Sequence, residues 1–246
     1  MSPRAPYAGH ESPVASRGFF VTGTDTAVGK TLVACALLRA FAARGLRAVG
    51  MKPVAAGAER GGQGWRNEDV EALRAAGNVS APVRETNPYC FAPPIAPHIA
   101  ARLAGETVSP EVIASRYAAL CARADVVIVE GAGGLLVPLA PGFDMADLAH
   151  RLSLPVVLVV GMRLGCLNHA LLTAAGLQAR GLHLAGWVAN HLDPHMAYAH
   201  ENVQALMERL DAPLVGRVPY AGTDPGPQIA ATLDIGALMP GRDQRR

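Results

Sequence analysis

Charge is scarce in this chain. Only 17% of its 246 residues are Asp, Glu, Lys or Arg, while 50% are hydrophobic. That balance suits a sheet buried on both faces, and one α/β domain rather than two independent ones. The formal net charge of +2 supplies no broad basic field, so nucleic acid is not implied as a partner. Cys35, Cys90, Cys121 and Cys166 lie far apart with no CxxC pair, which excludes a zinc ribbon or a redox dithiol. They read as reduced, mostly buried thiols of a cytoplasmic protein. HExxH spacing is missing among the 8 His residues, and His195 and His200 near Asp193 read as residues of a solvated helix. No apolar run approaches the ~18 residues of a membrane span, so no membrane partner is expected. Residues 1–17 lack the apolar stretch of a signal peptide and read as a disordered leader. A single domain is expected over 18–240, with a flexible, solvated tail over 241–246.

What the chain does have is GTDTAVGKT at 23–31, placed between the apolar run 19–22 and the helical pattern of 32–41. Strand, glycine-bearing loop and helix together make a phosphate cradle. Loop N–H groups and the helix N-terminus face phosphate oxygens, Lys30 reaches the β and γ oxygens, and the Thr31 hydroxyl is placed to ligate Mg2+. The loop is one residue longer than the common P-loop, with Thr24 where the first glycine usually stands. Further β-branched runs at 48–52, 126–130, 156–161, 184–190 and 214–218 join 18–22 as expected strands. Helical stretches alternate with them; 32–44 ends at Gly45 and 169–180 at Gly181, both plausible C-caps. The fold class expected is a P-loop, doubly wound, mostly parallel sheet with helices on both faces. Residues 57–64 are glycine-rich and read as an unpacked loop, either mobile over the site or an inert insertion. NPYCFAPPIAPH at 87–98 carries four prolines and is expected to be irregular.

In such a sheet, ligands sit beyond the carboxyl ends of the strands. Lys52 ends the second strand, and Pro53 keeps its backbone extended. Glu130 closes an apolar run before Gly131, Gly133 and Gly134, the form of a Walker B strand. Asp69, in Arg66-Asn67-Glu68-Asp69, reads from its neighbours as part of a helix start capped by Asn67. Asn190 offers a donor and an acceptor to an adenine edge, or else forms a turn. GMRLGCLN at 161–168 leads into a helix whose free N–H groups suit a carboxylate, unless Asn168 caps them.

GTDTAVGKT at 23–31, KPVAAG at 52–57, RNEDVEAL at 66–73, NPYCFAPPIAPHIA at 87–100, VEGAGGLLVPL at 129–139, VVGMRLGCLNHALLTA at 159–174 and GWVAN at 186–190 together closely resemble the dethiobiotin synthetases. The resemblance covers about residues 18–221, and it also accounts for the longer loop. It implies ATP-dependent closure of a ureido ring from CO2 and 7,8-diaminopelargonate (7,8-diaminononanoate), through a carbamate and a carbamic-phosphoric anhydride, in biotin biosynthesis. Lys52 and Lys30 would then be catalytic, and Thr31, Asp69 and Glu130 would hold Mg2+. The nucleotide would lie against Thr26, Ala27, Val28, Gly29, Lys30, Thr31 and Leu32, with Asp69, Glu130, Gly131, Ala132 and Gly133 alongside. Asn190, His191, Pro219, Tyr220 and Ala221 would surround adenine. Substrate would meet Lys52 and Ala56, its carboxylate received at Gly165, Cys166, Leu167 and Asn168 of the second subunit of a homodimer. Ala56 stands where many members have Ser, Ala27 and His191 where acids are common, and Gly226 where an acid can meet the nucleotide. Two other readings of the P-loop are weaker. A cobyrinic-acid amide synthetase relative needs a glutaminase half, and a partitioning ATPase usually has a second lysine early in its loop.

Overall fold

The computed structural model describes residues 18–62, 64–220 and 227–239. The expected leader at 1–17, the tail at 241–246, Ala221 and Gly226 lie outside the described residues. All six expected strands form and pair in parallel in one sheet: β1 (Gly18–Gly23), β2 (Ala48–Met51), β7 (Val126–Gly134), β10 (Val156–Met162), β11 (Leu184–His191) and β12 (Leu214–Val218). Their order is β12-β11-β10-β1-β7-β2, so β1 and its phosphate loop lie inside the sheet.

Alternation along the strands feeds two layers. Val21, Ile128, Val159 and Val215 face helix α1 (Lys30–Ala43), helix α2 (Glu68–Ala76) and a 3₁₀ helix (Pro227–Thr232), burying Leu37, Phe41, Leu73 and Ile229. Phe20, Val127 and Val129 pack on the opposite face against helices α5 (Pro110–Cys121) and α6 (Met145–Arg151). Leu158, Val160 and Trp187 continue that face under α7 (Cys166–Ala179) and α8 (Ala199–Met207). A Cβ at Gly50 would stand 2.9 Å from Leu73, which explains how α2 lies so close on β2. The short helix α3 (Val83–Thr86) follows at the open edge of β2.

Several expectations are corrected. Residues 57–64 are largely exposed, as expected, but are not a plain loop: strands β4 (Glu59–Gly61) and β5 (Gly64–Arg66) form an antiparallel hairpin. Asn67 Nδ2 closes its base by donating to the carbonyls of Ala56 (3.2 Å) and Gly57 (3.5 Å). Nor is 87–98 irregular throughout. Strand β6 (Tyr89–Phe91) pairs in parallel with β3 (Val54–Ala56), and helix α4 (Pro97–Leu103) begins on the fourth proline. The prolines fall before the strand, in the turn and at the first helical position, where a missing N–H costs nothing. Helix α7 begins three residues earlier than expected, so Asn168 lies within it and Gly165 is the cap. The remaining strands are the small pair β8 (Pro138–Ala140) and β9 (Phe143–Asp144). His200 is exposed on α8, while His195 is exposed in the preceding turn. None of the four cysteines is in a disulfide; Cys35 and Cys166 are buried and the other two half-buried.

Candidate nucleotide and metal site

The loop leaves β1 at Gly23 and enters α1 at Lys30. Ala27 (φ 57°) and Gly29 (φ 85°) are both left-handed, and no side chain caps the helix start. Its free N–H groups are therefore left for an anion. Asn190, buried on β11, donates from Nδ2 to the Val28 carbonyl at 2.8 Å, fixing the loop from two strands away. A Cβ on Gly29 would stand 2.2 Å from that same nitrogen, so only glycine fits. Asn190 is thus neither a solvent turn nor a free amide. Lys30 is buried and folded back, its Nζ donating to the Asp25 carbonyl at 2.9 Å. Burial, then the neighbouring Lys52 charge, push its ammonium down to about 8.

Four side chains from separate elements converge beside the loop. Thr31 Oγ1 lies 2.8 Å from Asp69 Oδ1 and 2.8 Å from Glu130 Oε1. Lys52 Nζ donates to Asp69 Oδ2 at 2.7 Å and to Glu130 Oε1 at 2.5 Å. Asp69 serves this cluster while Asn67 caps α2, accepting from the Val70 N–H at 3.4 Å, so both readings of that segment hold. Glu130 lies within β7 rather than at its end and is 1% exposed. Burial raises its pKa above the usual carboxylate range. Burial also acts against charge on Lys52 and Asp69, but the Glu130 and Asp69 charges outweigh it at Lys52, raising its pKa, and the Lys52 charge outweighs it at Asp69, lowering its pKa. One atom is orphaned: Glu130 Oε2 is buried with no hydrogen-bond partner. A hydroxyl, two carboxylates and an unsatisfied carboxylate oxygen are a hard, all-oxygen donor set that suits a small divalent cation.

Sequence reasoning missed Asn87. Its buried Nδ2 donates to the carbonyls of Lys52 (2.7 Å) and Tyr89 (2.9 Å), clamping the backbone that aims Lys52. An Asn-Pro pair at the head of a proline-rich segment was the available signal. Thr26 lies alongside the glycines after Glu130: a Cβ on Gly133 would be 3.6 Å from Thr26 Oγ1, and one on Gly131 would press on the Phe20 ring at 3.1 Å. Ala132 is half-buried between them. Leu32 is half-buried in the first turn of α1, and Ala56 ends β3 with its carbonyl taken by Asn67. His191 is half-buried at the end of β11, its pKa held down by burial and Arg217. Pro219 and Tyr220 are exposed beyond β12. Gly165, left-handed at φ 95°, starts α7 without a side-chain cap, and Cys166, Leu167 and Asn168 form its first turn. Hydrogen bonds among the described residues do not join that turn directly to the Lys52 cluster. A cavity of about 320 Å³ beside β2, lined by Gly50, Leu73, Arg74 and Thr86 among others, shares no lining residue with the phosphate loop.

A family model described as an AAA domain matches residues 17–223. The chain is 56% identical over 220 residues to the ATP-dependent dethiobiotin synthetase BioD of Aromatoleum aromaticum, covering 89% of this chain and 97% of the relative. It is 55% identical to the protein of the same name from Nitrosospira multiformis, covering 90% and 96%. The chain belongs to the dethiobiotin synthetase family. Among solved structures, MinD from Aquifex aeolicus (TM-score 0.54, 14% identity, 87% of this chain and 94% of that one) is similar. So is a ParA family ATPase from Chlorobium tepidum (TM-score 0.53, 11% identity, 92% and 94%). At such identities they share the P-loop fold and nothing more. Membership of the dethiobiotin synthetase family rests on the sequence relatives, not on the shape of the sheet.

Proposed function

We propose that this chain is an ATP-dependent dethiobiotin synthetase, a C–N ligase of biotin biosynthesis. It would convert 7,8-diaminononanoate, CO2 and ATP to dethiobiotin, ADP and phosphate. The observation that carries the reading is Lys52: a buried ammonium at a strand end, one residue past β2 and joined to the two carboxylates beside the phosphate loop. A plain nucleotide switch has no need of a second cation there.

The chemistry follows from charge. A substrate amine adds to CO2 and loses a proton, giving a carbamate that Lys52 would neutralise. A carbamate oxygen then attacks the γ-phosphorus, and ADP leaves. Finally the second amine attacks the carbamoyl carbon of the mixed anhydride, closing the ring as phosphate departs. Lys30 and the loop N–H groups would hold the phosphates throughout, stabilising charge as it moves. Thr31, Asp69 and Glu130 would hold Mg2+, which when bound supplies positive charge to the phosphoryl oxygens. Adenine would rest near Asn190, His191, Pro219 and Tyr220. Residues 18–240 would act as one catalytic domain in a cytoplasmic homodimer, Gly165, Cys166, Leu167 and Asn168 of each protomer serving the other's substrate carboxylate. Exposed Leu164 (95%) and Leu172 (64%) near that turn are consistent with a covered face.

Mass spectrometry of protein with MgATP, bicarbonate and diaminononanoate should reveal dethiobiotin, and omitting any one component should abolish it. Product that forms without ATP would sink the reading.

Lys30 adds a pH prediction. Its folded pKa of about 8 lies below the ordinary 10.5, so in the empty site a share of it is neutral above pH 8. The cost of burying its charge is present below pH 8 and is relieved as pH rises toward 10.5. A bound triphosphate favours the ammonium, so nucleotide binding at pH 8.5 should take up part of a proton, and at pH 6.5 none through Lys30. Calorimetry in buffers of different ionisation enthalpy reads this; no buffer dependence at pH 8.5 would contradict it.

A further inference from the structure

One ion pair joins the phosphate loop to the start of α7. Asp25 uses every oxygen it has: Oδ1 accepts from the Thr26 N–H at 2.7 Å, Oδ2 from Arg163 Nη2 at 2.6 Å, and its carbonyl from Lys30 at 2.9 Å. The Thr26 N–H holds the carboxyl below the usual range, with Arg163 and the nearby His169 helping against burial. Arg163 is equally committed at its other end. Its carbonyl accepts the Cys166 N–H at 3.0 Å, forming the turn whose Gly165 starts α7. The backbone beneath is stitched as well: the Thr24 N–H donates to the Val159 carbonyl at 3.0 Å and the Gly161 N–H to Thr24 Oγ1 at 3.4 Å. Those two contacts tie the loop to the sheet. The Asp25–Arg163 pair is different: among the described residues it is the side-chain contact that reaches the turn itself, and both side chains are about half-exposed (48% and 45%).

We propose that Asp25 and Arg163 form a positioning link that makes nucleotide binding and substrate-carboxylate binding interdependent. Lys30 donates one of its three N–H groups to the Asp25 carbonyl, so a phosphate that draws the ammonium toward itself pulls on the loop around Asp25. Arg163 carries that adjustment to the turn at 163–166. By reciprocity, an anion held at the α7 start biases the loop by the same factor. The inference rests on the functional reading above, which places the substrate carboxylate at Gly165–Cys166. In the homodimer proposed there, the pair would join the phosphate loop of one site to the carboxylate site of the other. A half-exposed ion pair contributes little to folding, so its removal should leave the protein intact.

The test is a coupling measurement on the full-length protein. The Kd of diaminononanoate is measured with and without a saturating non-hydrolysable ATP analogue and Mg2+, for the wild type, Arg163→Met, Arg163→Lys, Asp25→Asn and the double variant. A wild-type coupling factor of about fivefold or more is expected, at the lower end of typical allosteric pairs. It should fall to about one in Arg163→Met and in Asp25→Asn, fall no further in the double variant, and be partly kept in Arg163→Lys. A coupling factor unchanged in Arg163→Met, or absent from the wild type, overturns the inference. So does a loss of nucleotide affinity in Arg163→Met that persists without substrate while coupling survives, because Arg163 would then be a direct phosphate ligand. Dethiobiotin formation by the wild type checks the functional reading separately. Product with unchanged coupling overturns the link alone; no product overturns both.

Discussion

Replacing Lys52 by Ala should lower kcat for ring closure by roughly a hundredfold or more, the scale expected when one preorganised charge is taken from a developing anion. The same change has a second signature. Lys52 is the counter-charge for Glu130 and Asp69, and removing one member of a buried ion pair costs about 3–5 kcal/mol because the other is left uncompensated. The metal-free variant should therefore melt well below the wild type. Mg2+ should restore more of the lost Tm in the variant than it adds to the wild type, since the carboxylates and the orphaned Glu130 Oε2 are then open to it. Thermal unfolding with Mg2+ and with a chelator, alongside the dethiobiotin assay, reads both effects. Wild-type turnover in the variant would remove Lys52 from the chemistry, and equal Mg2+ responses would remove the shared site.

Gly29→Ala should be nearly as damaging to nucleotide binding, through geometry rather than charge. A left-handed residue with a Cβ costs about 1–3 kcal/mol, and here the new carbon would also meet Asn190 Nδ2 at 2.2 Å. The Asn190 to Val28 hydrogen bond must break or the loop must shift. ATP affinity should fall by roughly tenfold or more, a loss of about 1.4 kcal/mol per factor of ten. Pairing the change with Asn190→Ala removes the obstruction, so the double variant should bind ATP better than Gly29→Ala alone, a non-additivity expected of contacting residues. Titration of the four proteins with a fluorescent ATP analogue checks this; strictly additive losses would mean that the collision is not the cause.

The main sheet was legible because its six strands are mostly apolar runs, the pattern of strands covered on both faces. The strands at Val54–Ala56 and Tyr89–Phe91 were not, since three residues directly after a proline carry no periodicity and pair only once the chain has folded. Gly57 and Gly64 read as looseness but serve a hairpin latched by Asn67, a contact between residues ten and eleven apart that composition does not encode. Among site residues, Lys30, Thr31 and Glu130 stood out by motif. Asp69 was ambiguous for a physical reason: helix starts favour acids whatever those acids go on to bind. Asn87 acts through backbone carbonyls, and nothing local in the sequence distinguishes that from a turn.

The hydrogen bond from Asn190 to Val28 also bears on the order in which the protein assembles. Residues 24–29 leave the ribosome among the first parts of the described chain, yet the side chain that pins them is 162 residues further on. An emerging chain that has reached β10 can pair β2, β7, β1 and β10, but it still lacks the strand that shapes the loop. The cradle is thus written early and finished late, so nucleotide should bind full-length chains and pass over nascent ones.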